Sequence, residues 1–160
     1  MLRKTGQPAD GLTCLPHYEE VKFLGDAGSY PLLLSTYQPL LNVENGSQNY
    51  PWAQEVYFVA HGRGWDSFAE MNVATARELG VKDGDMVWVE SPSGKLRAKA
   101  RVFQGIRPGI VSIATGQGHD AYGRWARGIG VNPNEIIGMD YDCLSGQAVF
   151  FNTRVRVYRA

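Results

Sequence analysis

Apolar and basic residues alternate without a break over Lys95–Val102, and this is the clearest structural signal in the chain. Leucine, alanine or valine occupies each even position of the segment, and lysine or arginine occupies each odd position. A period of two predicts a β-strand with one buried face and one solvated face. The apolar run Met86–Glu90 precedes it across the turn Ser91–Gly94, so the two segments are predicted to form a β-hairpin.

Four other apolar runs are predicted to be strands, namely Tyr30–Thr36, Val56–Val59, Gly109–Ala114 and Ala148–Arg159. Together with the hairpin they give six or seven strands, and only two brief helical segments lie between them. Such a set predicts a closed or nearly closed β-barrel rather than an α/β sheet. The expected fold class is therefore mainly β.

Short helices are predicted at two places. The segment Val73–Leu79 has Asn72 as a candidate N-cap and Gly80 as the residue that ends the helix. A second helical turn is predicted over residues 134–137, because Pro133 suits a first helical position and an asparagine precedes it.

The chain is predicted to form one domain preceded by an arm. Residues 1–28 have no sustained period and are predicted to be a linker or arm, although Val21–Leu24 is apolar enough to be anchored. Residues 29–160 then form the domain. At 160 residues and 44% hydrophobic content, the chain is long enough to bury one substantial core.

Charge and cysteine content exclude several classes of function. Sixteen basic residues balance sixteen acidic ones, so no overall positive field exists to hold nucleic acid or an anionic membrane. Cys14 and Cys143 are isolated, which argues against a zinc or iron–sulfur site in this chain. No apolar run approaches about 20 residues and no export signal is visible, so direct membrane insertion is not expected and the compartment stays undetermined.

The segment Gly116-Gln117-Gly118-His119 follows a predicted strand and is the best candidate for a ligand-facing loop. Its glycines permit positive φ and let backbone N–H groups approach a ligand. Arg124 and Asn132 follow nearby and add polar groups that a simple connector would not need.

An ordered series of motifs resembles a known family. The series consists of Asn72–Ser91, Gly94, Gly105–Gly109 and Gly116–His119. It is similar to the C-terminal dinucleotide-binding domain of the molybdopterin oxidoreductases, which form the dimethyl sulfoxide reductase family. The resemblance extends over Leu32–Tyr158, and the ending of the chain is most similar to the polysulfide, thiosulfate or tetrathionate reductase branch.

The resemblance implies a six-stranded double-psi β-barrel with two or three short helices that binds molybdopterin guanine dinucleotide. In the family, the ligand of the molybdenum or tungsten and the cysteines of the iron–sulfur cluster come from an earlier domain. The resemblance therefore implies that catalytic domains or a catalytic subunit are partners of this chain, and that the chain itself supplies no catalytic residue and no metal ligand.

The cofactor-binding positions implied by the resemblance lie in several segments. Ser35, Thr36 and Tyr37 match the loop after the first strand, where the family approaches the phosphates and the pterin. Asn49 matches a polar position beside the dinucleotide, although an ordinary turn asparagine explains it equally well. The other implied positions are Asn72, Thr75, Gly116, Gln117, Gly118, His119, Arg124 and Asn132.

These positions carry different implied roles. Asn72 and Thr75 match the guanine end of the cofactor, but Thr75 replaces the aspartate of the family motif and cannot accept two guanine N–H groups as a carboxylate can. His119 and Asn132 match positions near the pterin. Arg124 is expected to pair with a phosphate, with a surface salt bridge as the alternative.

Two other functions stay open from the sequence. A pyruvoyl-dependent decarboxylase is an alternative because a double-psi barrel can host a self-cleaving Gly-Ser pair, and Gly28-Ser29 and Gly46-Ser47 both occur. A non-catalytic assembly module that has lost cofactor contact is the second, and the threonine at position 75 favours it. The basic row of Lys95–Val102 is interpreted as a solvated strand face.

Overall fold

A computed structural model describes residues 15, 18, 20–40, 42, 46–61, 65–142 and 145–160. Its elements are six strands, two α-helices and one short 3-10 helix. In chain order they are β1 (Leu32–Tyr37), α1 (Pro51–His61), β2 (Phe68–Met71), α2 (Val73–Leu79), β3 (Met86–Glu90), β4 (Lys95–Val102), β5 (Ile110–Ala114), the 3-10 helix (Pro133–Glu135) and β6 (Arg154–Arg159). No helix of this described part is long and apolar enough to cross a membrane.

The six strands close into a barrel in the order β1-β5-β2-β4-β3-β6. The pairs β1–β5 and β2–β4 are parallel, and the other four pairs are antiparallel. The chain crosses over β5 between β1 and β2, and it crosses over β2 between β4 and β5. The expectation of a mainly β, six-stranded closed barrel with a few short helices is confirmed.

The core fills the inside of the barrel with residues that alternate along each strand. The pattern on β4 is as predicted, because Leu96, Ala98 and Ala100 are buried while the lysines and arginines between them face outward. The small side chains of Ala69 and Ala100 are in register on β2 and β4, and both are fully buried. They leave room for larger core residues such as Met71, as a narrow barrel requires.

The predicted strand Val56–Val59 is wrong, because these residues lie in helix α1. Four consecutive apolar residues fit the buried face of a strand or one side of a helix equally well, so periodicity alone does not separate the two. Pro51 stands at the first position of α1, where its missing N–H costs nothing, and the helix runs through the apolar segment to His61.

Strand β2 was not predicted, and the last strand was predicted too long. β2 has four residues and includes Glu70, a residue type that is uncommon in strands. It forms because β4 and β5 both pair with it, so its backbone groups are satisfied from two sides. Of the predicted strand Ala148–Arg159 only β6 is regular, and the preceding residues make isolated bridges at Ala148 and Thr153.

Helix α2 and the 3-10 helix have the predicted caps. The Asn72 side chain accepts a hydrogen bond from the N–H of Ala74, and Gly80 ends the helix in the left-handed conformation at φ 66°. The 3-10 helix begins after Asn132, whose side chain accepts from the N–H of Asn134. The predicted extent of this turn, residues 134–137, is wrong at its end, because the 3-10 helix covers Pro133–Glu135. Both N-caps and the end of α2 were readable from the sequence because capping depends on neighbouring residues only.

The end of the N-terminal arm is anchored on the barrel. Leu24 forms a parallel bridge with Thr153, its N–H donates to the carbonyl of Asn152 at 2.8 Å, and its own carbonyl accepts from Arg154 at 2.9 Å. The predicted anchoring of the segment Val21–Leu24 is confirmed at its last residue.

Glu90 joins β3 to β6 on the outside of the barrel. Arg156 donates to its Oε1 atom at 2.6 Å and the Tyr158 hydroxyl donates to its Oε2 atom at 2.8 Å. The hydrogen bond from Arg156, followed by that from Tyr158, holds the pKa of Glu90 below its ordinary value of 4.5. The folded state therefore favours the ionised carboxylate.

Glu90→Gln is expected to lower the melting temperature at pH 7, by an amount that shrinks in acid. Because the folded-state pKa is lowered, the stabilisation by ionised Glu90 is fully present above 4.5 and is lost as the pH falls through the lower folded-state value. Thermal unfolding between about pH 3 and pH 7 measures this difference. Glu78→Gln, on the exposed side of α2, is the charge-matched control. A gap for Glu90→Gln that is constant with pH would contradict the expectation.

Candidate functional site

The barrel has two ends, and the candidate residues divide between them. β1 and β5 are parallel and end side by side at Tyr37 and Ala114, and we call this the upper end. β2 runs antiparallel to β5 and ends beside its beginning, with Met71 opposite Val111, and we call this the lower end. The loop that starts at Gly116 therefore leaves the upper end.

Asn72 and Thr75 lie at the lower end, and their side chains are bonded within the protein. The Asn72 amide accepts from Ala74 and donates to the carbonyl of Ile106 at 2.6 Å. The Thr75 hydroxyl oxygen accepts from the N–H of Gly109 at 3.0 Å, immediately before β5 begins. Both side chains are buried. The five residues of β5 separate them from the upper end by about 16 Å.

Ser35, Thr36 and Tyr37 belong to strand β1 and not to the loop after it. The strand continues to Tyr37 because each of these residues pairs with β5, and the Tyr37 carbonyl then accepts from the N–H of Thr115 at 2.8 Å. Thr36 is buried, whereas Ser35 and Tyr37 are half-buried. Only the end of this segment borders the upper end of the barrel.

A cavity with several side-chain amides in its lining opens beside the upper end, and we call it the amide cavity. Four of its lining residues carry side-chain amides and come from three segments: Asn42 and Gln48, Gln54 of α1, and Gln117. The rest of the lining consists of Pro39, Ser47, Ala53, Asp66, Ala114 and Thr115. Its volume is about 30 Å³, so the edge of a ligand could enter it but not a whole dinucleotide.

The amides form a connected network. Gln117 donates to Oε1 of Gln54 at 2.9 Å, and Gln54 donates to the carbonyl of Gln48 at 3.0 Å. Asn42 donates to the carbonyl of Thr115 at 3.1 Å and accepts from Nε2 of Gln48. Within the described residues, Oε1 of Gln48 has no hydrogen-bond donor although the side chain is only 4% exposed.

The Gln48 Oε1 atom is a buried hydrogen-bond acceptor to which no described residue donates. A buried polar atom without a partner costs about 1–3 kcal/mol, so the chain gains stability if a ligand supplies an N–H or O–H group there. Gly116 makes the arrangement possible. It has φ 100°, and a Cβ atom at this position would overlap with the amide groups of Asn42 and Gln48.

Three of the four amide side chains in the lining of the cavity were missed by the sequence prediction, namely Asn42, Gln48 and Gln54. The loop between β1 and α1 is rich in asparagine and glutamine, which predicted turns and hydrogen bonds to the backbone rather than a ligand site. That composition was the available signal. Asn42 and Thr115 are 73 positions apart, so their contact could not be read from local sequence.

Asn49 and Arg124 lie at the rim of this region. Asn49 accepts from the N–H of Trp125 at 3.0 Å, and the Tyr122 hydroxyl donates to the carbonyl of Gly46 at 2.8 Å, so the two loops are joined. The Arg124 guanidinium is exposed and stacks 4.3 Å from the centre of the Trp125 ring. Arg124 has no carboxylate partner in the described part of the chain.

His119 and Asn132 face a second cavity on the other side of the loop, which we call the His119 cleft. Its volume is about 330 Å³. The His119 ring places Nε2 at 2.9 Å from the carbonyl of Gly116 and lies 4.7 Å from the ring of Tyr122. Gly118 packs against the backbone of Asn132. The remaining lining residues are Trp88, Lys95, Leu96, Arg97, Asp120, Gly128, Gly130, Val131 and Glu135.

The basic residues of β4 are exposed at the beginning of the strand, as predicted, and several of them make specific contacts. Lys99 forms an ion pair with Asp66 at 2.6 Å, and Arg101 forms one with Glu70 at 2.7 Å. Lys95 lies 4.9 Å from the ring centre of Trp88. The beginning of the row lines the His119 cleft, whereas its end stabilises the pairing of β2 with β4.

No metal centre can be built from the described residues. Among them, no group of three His, Cys, Asp or Glu side chains is placed to hold a metal ion. Cys14 and Cys143 lie outside the described residues. The polar groups of the upper end instead suit a flat, hydrogen-bonding organic ligand and its phosphates.

Comparison with known proteins identifies relatives over most of the chain. The family model described as the molydopterin dinucleotide binding domain matches residues 32–154. The arsenate respiratory reductase molybdopterin-containing subunit ArrA of Shewanella sp. (strain ANA-3) is 41% identical over 91% of this chain. The corresponding subunit of Chrysiogenes arsenatis is 36% identical, also over 91% of the chain.

Each of these subunits is much longer than the present chain, which covers 18% of their length. Among solved structures, acetylene hydratase from Pelobacter acetylenicus is similar with a TM-score of 0.69 at 20% identity. The similarity covers 99% of this chain and 22% of that protein. At this identity the solved structure establishes a shared fold.

Proposed function

This chain is a member of the molydopterin dinucleotide binding domain family, and we propose that it holds the cofactor against the upper end of its barrel. The cofactor is molybdopterin guanine dinucleotide. The observation that carries the proposed location is the buried, unpaired oxygen of Gln48 in the amide cavity, beside the candidate residues Gly116 and Gln117.

The chemistry of the amide cavity suits the edge of a pterin. A pterin is flat and neutral, and its edge presents N–H donors beside ring nitrogen and oxygen acceptors. Side-chain amides match this pattern because each supplies both a donor and an acceptor. Oε1 of Gln48 would accept one such N–H, which removes the cost of leaving that oxygen unpaired. When bound, the cofactor supplies the metal and the redox chemistry.

We assign the cofactor's phosphates to the rim formed by Asn49 and Arg124. The Arg124 guanidinium is exposed and lies 4.3 Å from the centre of the Trp125 ring, so it is accessible to a phosphate. Guanidinium groups bind phosphate through two parallel hydrogen bonds. Tyr37 lies at the same end of the barrel and completes this edge of the proposed site.

His119 and Asn132 are proposed as further cofactor contacts, together with Gly118. The hydrogen bond between His119 Nε2 and the Gly116 carbonyl links the His119 cleft to the amide cavity. His119 thereby also positions Gly116, whose backbone the amides of the cavity approach. We leave Asn72 and Thr75 out of the proposed contacts because their side chains are bonded within the protein at the other end of the barrel.

The complete enzyme is proposed to be a molybdopterin-dependent oxidoreductase in which other domains carry out catalysis. The matched region is the C-terminal part of relatives that are about five times longer. The names of the relatives that match over nine tenths of the chain support an arsenate respiratory reductase as the parent enzyme. The branch of polysulfide, thiosulfate and tetrathionate reductases stays a prediction beside it.

A chimera tests the function directly. In it, this chain replaces the matching region of the Shewanella arsenate respiratory reductase subunit, and bound cofactor is quantified by its metal and by the guanosine monophosphate released in acid. We expect both at the level of the unmodified Shewanella subunit. A folded chimera without metal and without guanine nucleotide would refute the proposed function.

Gln48→Met and His119→Ala are expected to lower cofactor content of the chimera about tenfold each, which corresponds to one lost hydrogen bond to the ligand. Gln48→Met removes the unpaired buried oxygen together with the hydrogen bond that Nε2 donates to Asn42, so thermal unfolding of the variant is measured beside its cofactor content. Gln147→Met, at an exposed position of the last loop, is the matched control and should keep full cofactor content. Equal cofactor content in all three variants would refute the assigned contacts.

A further inference from the structure

The hydrogen bonds that join the Gln48 side chain to the barrel run in one direction. Gln48 donates from Nε2 to Oδ1 of Asn42, and Asn42 donates from Nδ2 to the carbonyl of Thr115 at 3.1 Å. The series ends there because a backbone carbonyl accepts hydrogen bonds and cannot donate them. Turning either amide over would therefore place two acceptors against each other.

The rest of the fold holds both ends of this series in place. Thr115 follows β5 directly, and its N–H donates to the last residue of β1 at 2.8 Å. The Ser47 hydroxyl also donates to Oδ1 of Asn42, at 3.2 Å, so this oxygen accepts from two donors. The main chain of Gln48 is held separately, because its carbonyl accepts from Gln54 at 3.0 Å. Different segments therefore set the position of Gln48 and the orientation of its amide.

This direction decides which atom of Gln48 is left for a ligand. Its nitrogen donates to Asn42 and lies against Gly116, where a Cβ atom would overlap with the nitrogens of both amides. Its oxygen receives no hydrogen bond from the part of the chain that the structure describes, although the side chain is only 4% exposed. An acceptor fixed at this point attracts an N–H group of a ligand and repels an oxygen or an unprotonated ring nitrogen.

We propose that Asn42 is the positioning residue that gives the amide cavity its specificity. It holds Gln48 with Oε1 toward the ligand, so that the cavity selects a ring edge with an N–H group at this point. The inference rests on the proposed function, in which the pterin edge enters this cavity. Without Asn42 the Gln48 amide can turn and present its own NH2 group to the N–H of the ligand. One hydrogen bond to the ligand is then lost, which corresponds to about a tenfold loss of affinity.

Asn42→Asp and Asn42→Leu form a matched pair in the chimera. Both variants lose the donor to the Thr115 carbonyl, but only the carboxylate keeps an acceptor for Nε2 of Gln48. We expect Asn42→Leu to hold about tenfold less cofactor than the unsubstituted chimera, and Asn42→Asp to stay within about threefold of it. An equal loss in the two variants, or a larger loss for Asn42→Asp, would overturn the proposal.

Thermal unfolding of the two variant chains separates positioning from a purely structural role. Asn42 is only 8% exposed, so an ionised carboxylate against the Thr115 carbonyl should lower the melting temperature at pH 7 at least as much as leucine does. Cofactor content and stability are therefore expected to rank the variants differently. Cofactor content that followed the melting temperature would show a structural role and overturn the proposal.

Asn152→Leu is the control for the loss of a buried asparagine elsewhere in the fold. Asn152 is 2% exposed, and its Nδ2 atom donates to the carbonyl of Lys22 at 3.3 Å. It lines neither the amide cavity nor the His119 cleft. The variant should have a lower melting temperature and keep full cofactor content in the chimera. A loss of cofactor as large as that of Asn42→Leu would overturn the proposal.

A double substitution decides the matter if Asn42→Asp fails to fold. Because Asn42 acts through Gln48, adding Asn42→Leu to Gln48→Met should cause no further loss of cofactor. Asn42→Leu combined with Arg124→Met is the comparison, since Arg124 is exposed at the rim and stacks on Trp125, and here the two losses should multiply. Losses that multiply in the first pair as well would overturn the proposal.

The unsubstituted chimera separates this proposal from the proposed function. Absence of metal and guanine nucleotide from it would refute the proposed function, and the role of Asn42 with it. A loaded chimera in which Asn42→Leu causes no loss of cofactor would support the proposed function and refute only the role of Asn42.

Discussion

Replacing Gly118 with alanine is expected to lower the free energy of unfolding by about 3 kcal/mol, which is the largest effect we predict for a single methyl group. Gly118 has φ 84°, a conformation that an alanine adopts only with strain. Its added Cβ would also lie 2.5 Å from the carbonyl carbon of Val131 and would overlap with the backbone nitrogen of Asn132. Backbone atoms cannot rotate away as a side chain can.

Gly109→Ala is the matched control for this substitution. Gly109 has almost the same backbone angle, φ 82°, but a Cβ at this position would meet no atom within 4 Å. Only the conformational strain remains, and it should cost about 1 kcal/mol. Thermal unfolding measures both variants, and about 3 kcal/mol corresponds to roughly 6–12 °C in a domain of this size. Equal shifts for the two variants would show that the packing of Gly118 on Asn132 does not matter.

The same substitution should also reduce cofactor content in the chimera. Gly118 joins the two segments of the loop in two ways. It packs against the backbone of Asn132, and its N–H donates to the carbonyl of Ile129 at 2.8 Å. Separating Gly118 from Asn132 is expected to disturb the next residue, His119, whose Nε2 atom lies 2.9 Å from the Gly116 carbonyl oxygen. The glycine is thus required for the shape of the proposed site as well as for stability.

Arg101→Met is the second substitution with a large expected effect, a loss of about 3 kcal/mol. Arg101 of β4 stands in register with Glu70 of β2 and donates to its Oε1 atom at 2.7 Å. The Glu70 side chain is only 6% exposed. Without its arginine the carboxylate stays buried and unpaired, and removing one partner of a buried pair costs far more than the pair itself contributes.

Lys99→Met is the control, because Lys99 lies two residues earlier on the same face of β4. Its ion pair with Asp66 is short, but its side chain is 50% exposed, and such pairs contribute at most about 1 kcal/mol. The double substitution of Glu70→Gln with Arg101→Met should recover part of the lost stability, because the buried charge is then gone. Chemical denaturation of the three variants measures the differences, and an equal loss for Lys99→Met and Arg101→Met would contradict the expected order.

The proposed site links these features to function. The parallel pairing of β1 with β5 brings Tyr37 beside the loop of Gly116, and the positive φ of Gly116 lets two amides approach its backbone. The resulting cavity presents the Gln48 Oε1 atom, which has no donor among the described residues. That oxygen is satisfied if the cofactor supplies an N–H group at this end of the barrel.

Local features of the fold were predictable from sequence. The alternation along β4, the hairpin before it and the caps of α2 depend on residues a few positions apart, so the pattern alone determines them. The segment Val56–Val59 was predicted wrongly because four consecutive apolar residues contain too little periodic information to separate a helix from a strand. β2 was missed because its neighbours in space, and not its own residues, make it a strand.

The sequence by itself determined the mainly β barrel class and the two ends of α2. Only the tertiary structure decided which polar residues meet. It placed Asn72 and Thr75 at the end of the barrel away from the Gly116 loop, and it brought Asn42 to Thr115. The physical reason is that strand period and capping are local interactions, whereas a cavity is built by crossover connections that bring together residues far apart in the chain.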